Sequence, residues 1–197
     1  MRTKLLLFVR QMIKDLQQIA NYKVRTLFPS LVFEYQITEI ERQDLLDKCY
    51  KLKNQSPKSE QNSNMGGWHS LHIPTPDQIL KYIPFEYSST ISWYMVNNYG
   101  HGNSSHCHPR SDWSGVVYLK SPDPEAYIEF EHPQCFEQYR LLETIPTDLK
   151  DKYCAWQAYK IMPQERTMLL FPASLRHRVF PNNTHEDRVS LSFNIKL

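Results

Sequence analysis

From Trp68 to Ile195 the chain is a succession of short β-rich pieces, each closed by a cluster of Pro, Gly, Asn or Asp, and this pattern limits the fold more than any other feature. The candidate strands cover 68–73, 89–97, 114–119, 127–131, 155–162, 167–171, 175–180 and 189–195, with an earlier one at 32–37 and a short helix within 74–82. A parallel sheet needs a long crossover, usually helical, between neighbouring strands, and no such segment separates these. The pattern predicts a mainly β, antiparallel sandwich or barrel of the jelly-roll kind.

What precedes the strands reads as helical. Leu5, Phe8, Val9, Met12, Leu16 and Ile19 recur at helical spacing among charges of mixed sign, which predicts an N-terminal amphipathic helix within 1–26, packed on the rest of the chain. Thr38 stands three residues before Glu41, a capping-box spacing, and Ile40, Leu45, Leu46, Cys49 and Leu52 form the stripe of a second helix. Both helices are expected outside the barrel. Residues 54–67 offer almost nothing to bury and read as a loop. A length of 197 residues suits one domain, here 27–197 behind the N-terminal helix.

Charge and cysteine usage exclude several classes. A formal net charge of +2, with scattered basic residues, gives no reason to expect nucleic acid or an anionic membrane as partner. The four cysteines have neither C-x-x-C spacing nor the density of a disulfide scaffold, so they read as reduced thiols. The longest early apolar run, 5–9, is too short to span a bilayer and is not followed by a cleavage site, so a cytoplasmic protein is expected. The sequon at Asn182 reads as a polar turn.

Two stretches carry chemistry. In H-C-H-P, His106 and His108 can converge on one metal ion while Cys107 points away; two surface or hydrogen-bonded histidines are the alternative. Downstream, His177 lies in a predicted strand, Pro181, Asn182 and Asn183 form a turn, and Arg188 opens the last strand, so a hairpin would bring Arg188 beside His177. In that last strand Arg188, Ser190, Ser192 and Asn194 alternate with Val189, Leu191, Phe193 and Ile195. The polar face either meets solvent or lines a wet pocket, where an arginine fork and a hydroxyl would receive a carboxylate.

Taken together, H-x-H-P with W-S-G-V-V-Y-L, F-P-A-S-L-R-H-R-V-F-P-N and E-D-R-V-S-L-S-F-N-I resemble a bacterial and phage group of 2-oxoglutarate and Fe(II)-dependent oxygenases. S-N-M-G-G-W-H-S at 63–70 and S-W-Y-M-V-N at 92–97 extend the likeness from about Phe28 to the C-terminus. The resemblance implies a double-stranded β-helix, a cupin-like jelly roll, holding Fe(II) and 2-oxoglutarate. It implies His106, His108 and His177 as metal ligands, Arg188 with Ser190 for the distal carboxylate of 2-oxoglutarate, and Tyr118 as a further contact to that cosubstrate.

In one respect the chain departs from the superfamily's usual pattern of two histidines and a carboxylate, because His108 stands where the carboxylate is usual. Three histidines complete the site on one reading; on the other, Asp112 swings in as a ligand. Three imidazoles would also accept zinc, copper or nickel. The implied activity is a hydroxylase that consumes O2 and couples decarboxylation of 2-oxoglutarate to C–H oxidation of a substrate, either a small molecule or a protein side chain. The rival reading is a non-oxidative, cupin-type metal-binding or interaction protein. Trp68, His69, Trp93, Tyr94 and Trp113 are candidates to shape the pocket, and His72, His101, His132 and His185 read as non-ligands.

Overall fold

The structure, a computed structural model, describes residues 24–133 and 139–197. The helix expected within 1–26 falls outside them, apart from 24–26, which are irregular and exposed. The elements are β1 (Phe33–Gln36), α1 (Glu39–Gln55), β2 (Asn64–Met65), β3 (Trp68–His69), α2 (Asp77–Leu80), β4 (Ser89–Asn97), β5 (Gly102–His106), β6 (Trp113–Lys120), β7 (Ile128–Glu131), α3 (Tyr139–Thr144), α4 (Thr147–Tyr153), β8 (Ala158–Ile161), β9 (Thr167–Pro172), β10 (His177–Val179) and β11 (Arg188–Lys196). They form a six-stranded sheet, β1-β9-β6-β11-β4-β3, and a five-stranded sheet, β2-β5-β10-β7-β8, with antiparallel ladders throughout. This is the expected double-stranded β-helix.

Alternation along the strands divides the interior in two. Tyr94 and Val96 of β4, Val117 and Leu119 of β6, Met168 and Leu170 of β9, and Val189, Leu191, Phe193 and Ile195 of β11 join Leu45, Leu46 and Cys49 of α1 in one core. Thus α1 covers the outer face of the larger sheet. Residues of opposite parity, Val116, Tyr118, Leu169 and Phe171, face the smaller sheet and meet Ile128 and Phe130 there. The central strands β6, β9 and β11 are therefore buried on both faces, and the polar row of β11 turns inward rather than toward solvent.

The start of α1 is fixed as the capping-box spacing predicts. Glu41 N–H donates to Thr38 Oγ1 at 3.3 Å, and Thr38 N–H donates to Glu41 Oε2 at 2.8 Å. Burial opposes ionisation of Glu41, but the Lys81 ammonium, both Thr38 donors and the Tyr82 hydroxyl outweigh it and hold the carboxyl at about 2.

Several local expectations are corrected. The hairpin joining His177 to Arg188 does not form: β10 pairs with β5 and β7, whereas β11 lies in the other sheet between β4 and β6. Nine-residue β4 and eight-residue β6 already occupy both edges of β11, leaving none for a three-residue strand. Asn182 anchors the crossing, its amide donating to Asn97 O at 3.0 Å and Glu186 O at 2.7 Å. The loop 54–67 contains β2, paired with β5 at Asn103 and Gly102. Strand β5 itself, G-N-S-S-H, has no β-branched or aromatic residue to announce it. Residues 139–153 fold as α3 and α4, which no capping or periodic signal had marked.

Two stability measurements follow. A Cβ on Gly115 would lie 2.2 Å from Phe193 Cζ and 2.7 Å from the Leu169 carbonyl oxygen, so backbone has to shift to admit it. Gly115→Ala is expected to cost roughly 1–3 kcal/mol in denaturant unfolding, with an unchanged slope. Because the Glu41 carboxyl is depressed on folding, its contribution is present above the ordinary value of 4.5 and is lost as pH falls toward about 2. Glu41→Gln should flatten that part of the acid limb in a series of unfolding curves.

Candidate metal centre

Three imidazoles meet between the sheets. His106 ends β5 and His177 begins β10, and the antiparallel register sets them directly opposite each other. His108 lies past the end of β5, where its backbone N–H donates to Ala173 O at 2.9 Å and so ties the 107–112 turn to the end of β9. The ring centroids stand 5.0 Å (His106 to His108), 4.4 Å (His106 to His177) and 5.2 Å (His108 to His177) apart. One ligand atom from each lies within 4.8 Å of the others, a group of the size one metal ion can bridge.

Hydrogen bonds select the tautomers of two of the rings. Nδ1–H of His106 donates to Ser104 O at 2.7 Å, and Nδ1–H of His177 donates to Leu175 O at 2.9 Å. Each Nε2 is left as the lone-pair nitrogen turned toward the cluster. Nε2 of His108 lies 3.4 Å from Nε2 of His177. Burial lowers all three imidazoles, His108 to about 4 and His177 to about 3, and it outweighs the Ser104 and Leu175 carbonyls, whose hydrogen bonds pull His106 and His177 the other way. They are neutral at physiological pH, the state that binds a metal.

Asp112 stands apart from this cluster. Its Oδ2 accepts from Leu197 N–H at 2.9 Å, and its backbone joins Ile195 and Ala173. Cys107 borders the cavity with the two histidines that flank it, rather than turning away, although its sulfur is not one of the clustered ligand atoms.

The centre opens into a cavity of about 360 Å³ that extends to Arg188, Ser190 and Tyr118 on the facing sheet. Arg188 is 3% exposed, yet Nη1 only approaches Ala126 O at 3.4 Å and Phe180 O at 3.5 Å, and Nε has no partner. Among the described residues no carboxylate pairs with it. The Tyr118 hydroxyl is likewise buried without a partner, and burial pushes it up to about 12 against the opposing pull of Arg188. Burial lowers Arg188 from its usual value, but guanidinium stays charged. A buried cation facing unpaired donors is costly by itself and is offset by an anion that accepts from the fork. The residues therefore fit a carboxylate at one end of the cavity and a metal at the other.

The remaining candidates divide. His69 and Trp93 line the cavity, whereas Trp68 and Tyr94 belong to the outer core, and Trp113 packs on Phe33 and Phe85 at the edge of that core. His72 borders the cavity outside the cluster. Ser192 and Asn194 also line it, and the parity that pairs Arg188 with Ser190 already implied as much. Asn62 and Ser63 gave no such signal. They come from the polar loop before β3, and the Ser63 hydroxyl sits 3.3 Å from His106 Nε2.

Comparison with known proteins agrees with this geometry. The family model described as "Putative 2OG-Fe(II) oxygenase" matches residues 91–194, more than half of the chain. No curated protein matches the sequence. Among solved structures, a prolyl-4-hydroxylase from Pseudomonas putida superposes with a TM-score of 0.58 at 10% identity, covering 84% of this chain and 91% of that one. A prolyl hydroxylase from Trichoplax adhaerens, in complex with a hypoxia inducible factor peptide fragment, gives 0.55 at 12% identity over 85% and 83%. HygX from Streptomyces hygroscopicus with iron bound gives 0.52 at 11% over 85% and 81%. At such identities these likenesses establish the shared fold.

Anaerobic titration of the metal-free protein with Fe(II) should saturate at one ion per chain and raise the melting temperature, by about 2.7 kcal/mol of added stability at a hundredfold excess over Kd. His177→Ala is expected to abolish that shift.

Proposed function

Given that the chain belongs to the 2OG-Fe(II) oxygenase family, we propose that it is a hydroxylase, with His106, His108 and His177 as the ligands of Fe(II) and Arg188 as the seat of 2-oxoglutarate. Bound there, Fe(II) supplies the oxidation: O2 and 2-oxoglutarate are consumed, succinate and CO2 are released, and one oxygen atom enters a substrate C–H bond. The observation that carries this reading is the buried, carboxylate-free guanidinium of Arg188, which shares one cavity with three clustered neutral imidazoles.

Each side chain has a distinct task. Arg188 takes the carboxylate remote from the metal through its planar fork, while Ser190 and the Tyr118 hydroxyl add donors on the same wall. In the register Ser190 faces Tyr118, and both are almost fully buried, so the anion meets donors whose positions the strands already hold. Three neutral imidazoles leave the metal its full double charge, which a dianionic cosubstrate neutralises, and no carboxylate from the protein is required for balance. Asp112, engaged by Leu197 N–H, serves to hold the turn that carries His108.

Arg188 provides the test. Arg188→Ala should retain Fe(II) binding but lose 2-oxoglutarate-dependent succinate formation by about a hundredfold or more, the size expected when a buried charged partner is removed. Arg188→Lys keeps the charge without the fork and should fall between the two. Wild-type succinate formation by Arg188→Ala would refute the assignment. Asp112→Asn is expected to leave the Fe(II) stoichiometry unchanged; loss of the metal would favour the two-histidine, one-carboxylate site.

A further inference from the structure

The three histidines are not held alike. Backbone carbonyls orient His106 and His177 through Nδ1, at 2.7 Å and 2.9 Å. Among the described residues nothing accepts from Nδ1 of His108, so no hydrogen bond of that kind sets its ring plane. Beyond the two other histidines of the cluster, the ring that lies against His108 is Trp93 of β4, with centroids 5.8 Å apart and planes inclined by 35°. Trp93 is 8% exposed, and it is flanked in turn by His69, stacked at 5.8 Å with an interplanar angle of 9°, and by His72, tilted at 5.6 Å.

His69 is fixed in turn. Its Nδ1–H donates to Ser70 O at 2.7 Å, which leaves Nε2 to accept from the Asn62 side-chain amide at 3.2 Å. Burial keeps this imidazole below its usual range, so it remains a neutral ring with one donor and one acceptor in use. The row Asn62, His69, Trp93, His108 thus runs from the polar segment before β3 to the histidine cluster, by one hydrogen bond and then through rings whose successive centroids lie 5.8 Å apart.

We propose that Trp93 is a positioning residue for the metal site: backed by His69 and Asn62, it holds the His108 imidazole in the orientation that completes a three-histidine centre. A flat aromatic wall does for His108 what a carbonyl does for the other two ligands, restricting rotation of the ring before the metal arrives. The consequence is that metal affinity depends on Trp93 and, through it, on the 60–69 segment. This inference rests on the ligand assignment proposed above.

The test uses the metal-free full chain and Co(II), with affinity read from the visible ligand-field bands and apo-protein stability from thermal unfolding. Trp93→Leu should weaken Co(II) by about tenfold to a hundredfold, the range seen when an orienting neighbour of a ligand is lost. Trp93→Phe retains a ring and should stay within about threefold of wild type. Tyr94→Leu, on the opposite face of β4 in the outer core, is the structural control: it should lower the melting temperature and leave the Co(II) affinity of the folded protein alone. Wild-type affinity in Trp93→Leu overturns the proposal, as does an equal loss in Tyr94→Leu. If Trp93→Leu does not fold, His69→Leu decides, since wild-type affinity there overturns the proposal and a loss of about threefold or more sustains it. His108→Ala separates the two levels of inference. Unchanged affinity in His108→Ala removes the ligand assignment itself, whereas a loss there with none in Trp93→Leu removes only the role of Trp93.

Discussion

The two-residue alternation of the last strand is the constraint from which the rest of the molecule follows. Val189, Leu191, Phe193 and Ile195 are completely buried under the helix that covers the larger sheet. Each contributes about 1.5–3 kcal/mol through burial, so slipping the strand by one residue would forfeit several such contributions at once. The same register forces Arg188, Ser190, Ser192 and Asn194 into the space between the sheets. Apolar packing on one face thereby maintains a buried cation on the other, where it would not stay by its own solvation.

The opposite wall of that space is built differently. A short ladder puts His106 against His177, and the turn after it delivers His108. The cavity therefore needs both sheets: one provides imidazoles kept neutral by burial, the other the buried guanidinium of Arg188, and the space between the sheets gives the cavity its depth. Close packing at Gly115, whose Cα admits no side chain beside Phe193 and the Leu169 carbonyl, keeps β6 near its neighbours and holds the Tyr118 side of the wall in place.

Much of this was legible along the chain. The boundaries of β4, 89–97, and the capping box of α1 could be read directly, because a run of β-branched and aromatic residues and a Thr-x-x-Glu spacing are strong local signals. The motifs also named the three histidines that cluster and the arginine that shares their cavity, and the burial of β6, β9 and β11 on both faces explains why a polar row in their midst marks a pocket. Weak signals marked the smaller sheet. Strand β5 is G-N-S-S-H, and β2 is only two residues long; both form because neighbours offer unpaired backbone, not because their side chains favour extension.

By itself, then, the sequence determined the antiparallel class, the two-faced last strand and the residue types available to bind a metal and a carboxylate, since all of these depend on local pattern. Tertiary structure alone decided which side chains share a space. The crossing at Asn182 sends His177 and Arg188 to opposite sheets, the Leu197 amide takes up Asp112, and Trp93 comes to lie against His108. The physical reason is that strand partners compete for edges. Which edge is free depends on the longest ladders in the whole fold, and no local spacing encodes that.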